Sequence, residues 1–169
     1  MTMDPASLAL DFDEVRDVTV IGAGPVGMCT AFWAGMREAP SRVIDSLPEL
    51  GGQLTTLYPE KWIFDVPGHP KVLARDLVEM LRVQSLEQFD VPVHLGTTAE
   101  TISWEGSGDD RVVVLHTDGG DLRFRTVIVA GGTARSSRRS CSVTTWPPGR
   151  AAALTTSWAR SRCSRASGS

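Results

Sequence analysis

Gly22-Ala23-Gly24-Pro25-Val26-Gly27 is the segment of this chain whose residue types and spacing point most directly to chemistry. An apolar run, Val18-Thr19-Val20-Ile21, enters the glycine turn, and a second strand-like run closes on Asp45. In that order the parts make a dinucleotide cradle. Gly22 permits a tight turn out of the strand. Gly24 lets the backbone approach a pyrophosphate. Gly27 lets the next helix lie close to the strand. Pro25 and Val26 open that helix, whose N-terminal N–H groups and positive dipole end suit phosphates. Asp45 would accept hydrogen bonds from a ribose diol. The alternative is an ordinary tight turn between strand and helix, with Asp45 a helix or turn cap.

These residues need a scaffold, and 169 residues suit one domain with an adequate core. Residues 17–21 read as a buried strand, 25 to about 38 as a helix with Met28, Phe32 and Met36 in its core stripe, and 42–45 as a second strand. This is one βαβ unit with a parallel sheet. Residues 46–70 are irregular and rich in Gly and Pro, but Tyr58, Trp62 and Phe64 favour a functional loop. Residues 71 to about 88 read as a helix with Val72, Leu73, Leu77, Met80 and Leu81 on one face. Residues 92–95, 99–104, 111–117 and 122–125 alternate like antiparallel strands, with hairpin turns at 106–110 and 118–121. Residues 126–130 form a buried strand ending at Gly131-Gly132. The expected class is α/β: a Rossmann-like parallel sheet plus a small antiparallel meander.

Composition narrows the rest. No apolar run reaches the roughly 18 residues of a membrane span, and the acidic start lacks the features of a secretory signal. Cys29, Cys141 and Cys163 have no metal-ligand spacing; Cys29 reads as a buried small residue, and the expected compartment is the cytoplasm. His69, His94 and His116 are scattered and read as solvated or structural.

The order of glycine turn, Gly-Gly loop, helix, meander and returning small-residue strand resembles the FAD domain of two-dinucleotide flavoproteins. The stretch Ser46-Leu47-Pro48-Glu49-Leu50-Gly51-Gly52-Gln53-Leu54-Thr55-Thr56-Leu57-Tyr58-Pro59-Glu60-Lys61, followed by Ile63-Phe64-Asp65-Val66-Pro67-Gly68, makes the resemblance specific. It is similar to the thioredoxin-reductase-like class of ferredoxin–NADP reductases, from about residue 17 to 132. The resemblance implies FAD as the ligand of residues 22–27. It places Asp45 on the adenosine ribose, Gly52, Gln53 and Tyr58 at the flavin, Ala99 at the adenine end, and Gly131 beneath the cofactor. Gln53 has the alternative of satisfying loop backbone, and Tyr58 that of a core aromatic. The implied reaction passes a hydride from NADPH to the flavin and single electrons to ferredoxin or flavodoxin. It needs no catalytic acid, base or nucleophile from the protein. A homodimer like the family's is part of the same expectation. The rivals are a thioredoxin-reductase-like flavoprotein and a non-catalytic nucleotide-binding module.

Residues 1–14 read as a flexible arm and 15–132 as a truncated FAD-binding domain. Residues 133–169 break the pattern. All 20 acidic residues precede Thr133, whereas residues 133–169 hold seven Arg and no Lys, Asp or Glu. That segment reads as disordered. A basic nucleic-acid-binding arm is one explanation, but Trp146 and Trp158 are its only aromatics and follow no pattern. No nucleic-acid partner is therefore expected. The other explanation is a shifted reading frame. Codons for residues 132–142, regrouped by one base, can encode His-Gly-Ala-Phe-Glu-Pro-Lys-Lys-Leu-Leu, which resembles the family's continuation. The same regrouping of residues 154–158 allows His-Tyr-Phe-Val, a second family segment. One base lost from a G-run produces this shift.

Overall fold

The computed structural model describes residues 14–107 and 111–132. The tail at 133–169, the arm before residue 14 and part of the turn at 106–110 lie outside the described residues.

The chain runs β1 (Arg16–Ile21), α1 (Pro25–Gly35), β2 (Ser41–Asp45), α2 (Gln53–Thr56), β3 (Trp62–Ile63), β4 (Val72–Leu73), α3 (Ala74–Arg82), β5 (Val93–Leu95), β6 (Ala99–Glu105), β7 (Val112–Thr117) and β8 (Gly120–Val129). One six-stranded sheet has the order β5-β2-β1-β8-β7-β6, while β3 and β4 form a separate hairpin. β5, β2, β1 and β8 are mutually parallel, and β8, β7 and β6 antiparallel.

Alternation along the strands divides the core. On one face Val20 and Val43 pack against Met28 and Ala31 of α1 and Val78 of α3, all buried. On the other, Ile44 and Val127 meet Val113, Leu115, Leu122 and Phe124 of the meander. The two helices therefore cover one side of the parallel strands and the meander covers the other.

Several sequence expectations change in three dimensions. Residues 93–95 pair in parallel with β2 rather than joining the meander. Residues 122–125 and 126–130 belong to a single long strand: Gly120 to Phe124 pair with β7, while Phe124 and Thr126 to Val129 pair with β1. The expected helix at 71–88 starts later, at Ala74, and gives way to a π-helical turn, Val83–Glu87. Met28 is buried, but Met36 is 56% exposed because α1 ends at Gly35, and Met80 also faces outward. Cys29 is exposed on α1, not buried.

β2 carries a buried polar pair against β5. The Arg42 guanidinium donates to the carbonyls of Glu14 and Arg123. His94 pairs opposite Ile44 and is buried. Burial first, then the charges of Arg42 and Arg16, hold the His94 imidazolium down to a pKa of about 4.

Candidate functional site: a three-loop cradle

Parallel pairing brings the C-terminal ends of β1, β2 and β8 to one edge of the sheet. Three glycine-bearing segments meet there, as expected where parallel strands hand over to loops. The Gly22 amide donates to the Ile44 carbonyl at 2.8 Å and the Ala130 amide to the Ile21 carbonyl at 2.7 Å. Gly22 has φ +114°, and a Cβ there would overlap the Ala130 carbonyl, so only glycine fits without displacing backbone. A Cβ on Gly27 would overlap the Gly22 carbonyl. That is the close helix-to-turn contact expected of the third glycine. Gly24 has nothing within 4 Å of its Cβ position, so space above it is open.

α1 begins at Pro25, with Gly24 as its N-cap and no capping side chain. Pro25 has no N–H to satisfy, its fixed φ suits the first helical position, and the amides of Val26 and Gly27 follow it. No acidic residue lies in the first turn, so the helix end keeps its positive character toward an anion.

The Gly-Gly loop closes over this turn. The Gly51 amide donates to the Ala23 carbonyl at 2.9 Å, and a Cβ on Gly52 would stand 3.4 Å from the Gly24 Cα. Gln53 opens α2 directly after Gly52 and is exposed. Tyr58 is 50% exposed, with the Lys61 ammonium 5.2 Å from its ring centroid. This excludes the core-aromatic alternative. Leu57 and Phe64 are likewise exposed, at 58% and 69%. Gly131 follows β8, exposed, with open space at its Cβ position.

Asp45 binds both sides of the cradle. Its Oδ2 accepts from the Ala23 amide at 2.6 Å and its Oδ1 from the Leu47 amide at 2.9 Å. It is therefore a turn cap, as the alternative held. Each carboxylate oxygen keeps a second acceptor site, so capping leaves room for a diol. The Thr97 amide donates to the Asp45 carbonyl at 2.9 Å. Ala99, two residues on, starts β6 and packs on the meander-side core.

The structure thus brings together the 22–27 turn, Asp45, Gly52 and Gly131, with Gln53 following Gly52 in sequence, while among the described residues no contact joins Tyr58 or Ala99 to them. Sequence reasoning did not single out Ala23 or Thr97. Both act through backbone atoms, which carry no side-chain signal. The cradle offers helix-end donors, a carboxylate acceptor and exposed apolar rings, a set suited to an anionic diphosphate, a diol and a flat ring system. Among the described residues no cluster of three His, Cys, Asp or Glu could hold a metal. No described helix is long and apolar enough to cross a membrane.

No family model matches the chain. Ferredoxin–NADP reductase 2 of Bacillus pumilus (strain SAFR-032) is 43% identical over 120 residues, covering 70% of this chain and 35% of that protein. Ferredoxin–NADP reductase 2 of Listeria monocytogenes serovar 1/2a is 46% identical over 128 residues, 75% of this chain and 37% of that protein. Among solved structures, thioredoxin reductase from Streptococcus pyogenes MGAS5005 superposes with a TM-score of 0.58 at 26% identity, over 70% of this chain and 35% of that one. Thioredoxin reductase from T. acidophilum gives 0.58 at 19% identity, a likeness of fold alone. The chain spans about a third of the length of the curated relatives it matches. Over the matched segment the chain is similar to the N-terminal part of ferredoxin–NADP reductases, and its fold is like that of the same part of thioredoxin reductase.

Proposed function

We propose that residues 15–132 are an FAD-binding domain, and that the activity they serve is electron transfer from NADPH through FAD to ferredoxin or flavodoxin. The observation that carries this is the convergence of Gly24, Gly52 and Gly131 beside the uncapped α1 N-terminus and Asp45. The open space at Gly24 and the exposed Tyr58 fit the group. When bound, FAD accepts a hydride and releases electrons singly, which the protein's own side chains do not do. Val26 and Gly27 would offer their amides to the diphosphate, with Pro25 fixing the backbone ahead of them. Asp45 would accept from the ribose, Ala99 would flank the adenine, and Gln53 and Tyr58 would border the isoalloxazine.

On this reading nicotinamide binding belongs to the roughly two thirds of the relatives that residues 15–132 do not match, and residues 15–132 by themselves would hold flavin weakly and transfer little or no hydride. The fold likeness to thioredoxin reductase supports a second reading, a flavoprotein of that kind; the residues from Gly51 to Lys61 favour the first. Residues 133–169 are read as an out-of-frame continuation of the family sequence. A cytoplasmic setting and a family-like homodimer complete the reading.

Titrating FAD into the purified chain and following flavin fluorescence tests the site. Saturable binding that Gly24→Val abolishes is expected; binding unchanged in that variant overturns the assignment. Sequencing the gene across the codons for 131–133 tests the frame. Restoring one G is expected to produce a chain that continues to match the relatives and reduces ferredoxin with NADPH. If the restored frame shows no such match, the frameshift reading fails.

A further inference from the structure

The outer face of the meander carries a hydrogen-bonded chain that the cradle does not use. The Ser103 hydroxyl lies 2.8 Å from His116 Nε2, and His116 Nδ1 lies 2.7 Å from Asp121 Oδ1. Three adjacent strands supply the three residues. His116 of β7 stands directly opposite Asp121 of β8, and Ser103 of β6 stands opposite Val114, one step along the same face of β7. Val113, Leu115, Leu122 and Phe124 point inward to the core, so alternation turns Ser103, His116 and Asp121 outward.

The proton arrangement follows from the groups themselves. An ionised carboxylate only accepts, so His116 Nδ1 carries the hydrogen. In the neutral ring Nε2 is then an acceptor, and the Ser103 hydroxyl donates to it. This is the order nucleophilic catalysis requires: nucleophile, base, orienting carboxylate. The side chains of His116 and Asp121 are 38% and 47% exposed, so a small electrophile can reach them. Arg123 lies two residues beyond Asp121 on the same face and is paired with the Glu105 carboxylate, its Nε donating to Oε2 at 3.0 Å.

We propose that Ser103, His116 and Asp121 form a second, nucleophilic site, at which Ser103 is acylated by small activated esters. Ser103 Oγ adds to the ester carbonyl carbon as its proton passes to His116 Nε2. The C–O bond to the leaving group breaks, and the leaving group departs with that proton. Water then attacks the acyl-serine, its proton passing to His116, and releases the carboxylic acid and the free serine. β7 is committed to ladders on both sides and has few amides free to stabilise an oxyanion, while β6, the edge strand, pairs on one side only. Acylation of activated substrates is therefore the expected activity, and turnover of ordinary esters is not.

The test treats the full chain with p-nitrophenyl acetate and, separately, with a fluorophosphonate probe, and maps the adduct by mass spectrometry. A single adduct on Ser103 is expected. It should be absent in Ser103→Ala and slowed roughly 100-fold in His116→Gln. Asp121→Asn should slow it as well, since the amide can hold the opposite tautomer. Thermal unfolding of each variant separates lost chemistry from lost fold, and Glu100→Gln, outside the triad, should label like the parent. An unmodified Ser103 in folded protein, or labelling unchanged in His116→Gln, overturns the proposal. Neither result depends on the cradle or on flavin.

Discussion

At the scale of single residues, the cradle depends on what a side chain would displace. Gly27→Val puts a branched side chain where the Gly22 carbonyl stands. The helix must move away from the turn, and destabilisation of about 1–3 kcal/mol is expected, as for overpacked sites. Urea denaturation checks this, and FAD titration of the same variant should show lost binding. Asp45→Ala removes both carboxylate-accepted bonds, from the Ala23 and Leu47 amides. A hydrogen bond to a charged group contributes about 1.5–3 kcal/mol, so a loss of at least ~2 kcal/mol is expected by the same measurement. Asp45→Asn keeps one acceptor and should lose less.

His94 makes a pH-dependent prediction. Its pKa is about 4 in the fold, against 6.5 for the ordinary imidazole. The unfolded chain binds a proton in this interval and the native chain does not. Its contribution is therefore fully present above pH 6.5, is lost as pH falls through the interval, and is gone below about 4. The loss is ~3 kcal/mol across the interval. Denaturation midpoints at several pH values should show it, and His94→Gln should flatten the slope. A slope unchanged in that variant would assign the pH dependence to other groups.

At the scale of elements, β8 does the most to join the molecule. Its first half is the last strand of the meander and its second half the neighbour of β1. Phe124 sits at the handover, fully buried and opposite both Arg16 and Val113. Phe124→Ala is expected to cost about 3–5 kcal/mol. Because the two layers meet there, hydrogen exchange in that variant should speed up in β7 and in β1 together. Faster exchange confined to the meander would mean that the layers are held independently. The sequence showed two strands here because alternation changes partner layer at this point, and Arg125-Thr126 interrupts the apolar pattern. The assignment of 93–95 to the meander failed for a related reason: a three-residue strand carries too few positions to distinguish a parallel from an antiparallel neighbour.

At the scale of the whole molecule, the cradle lies at the C-terminal ends of the parallel strands, with open space at Gly24 and Gly131. A cleft of about 370 Å³ lies at the opposite edge, among Arg16, Glu38, Ser41, Phe89 and Asp90, away from every expected site residue. A ligand site contributes stability that grows with the logarithm of ligand concentration over its dissociation constant. FAD at 100 times its dissociation constant should raise unfolding free energy by about 2.7 kcal/mol, read as an increase in melting temperature. No increase at any soluble FAD concentration would mean that the matched third of the family cannot bind flavin alone.

The glycine turn, its strand and helix, and the class of the fold were determined by sequence, because each imposes a local steric or periodic requirement that appears as residue type. The same holds for the Gly51–Gly52 loop, where glycine is demanded by positive φ values of 98° and 56°. Only the tertiary structure decided that Asp45 caps the turn it also flanks, that Tyr58 lies at the surface, and that β8 serves two layers. It alone brought Ser103, His116 and Asp121 into one hydrogen-bonded chain. Those are relations between residues on different strands. They follow from register and from backbone atoms, neither of which any single residue type records.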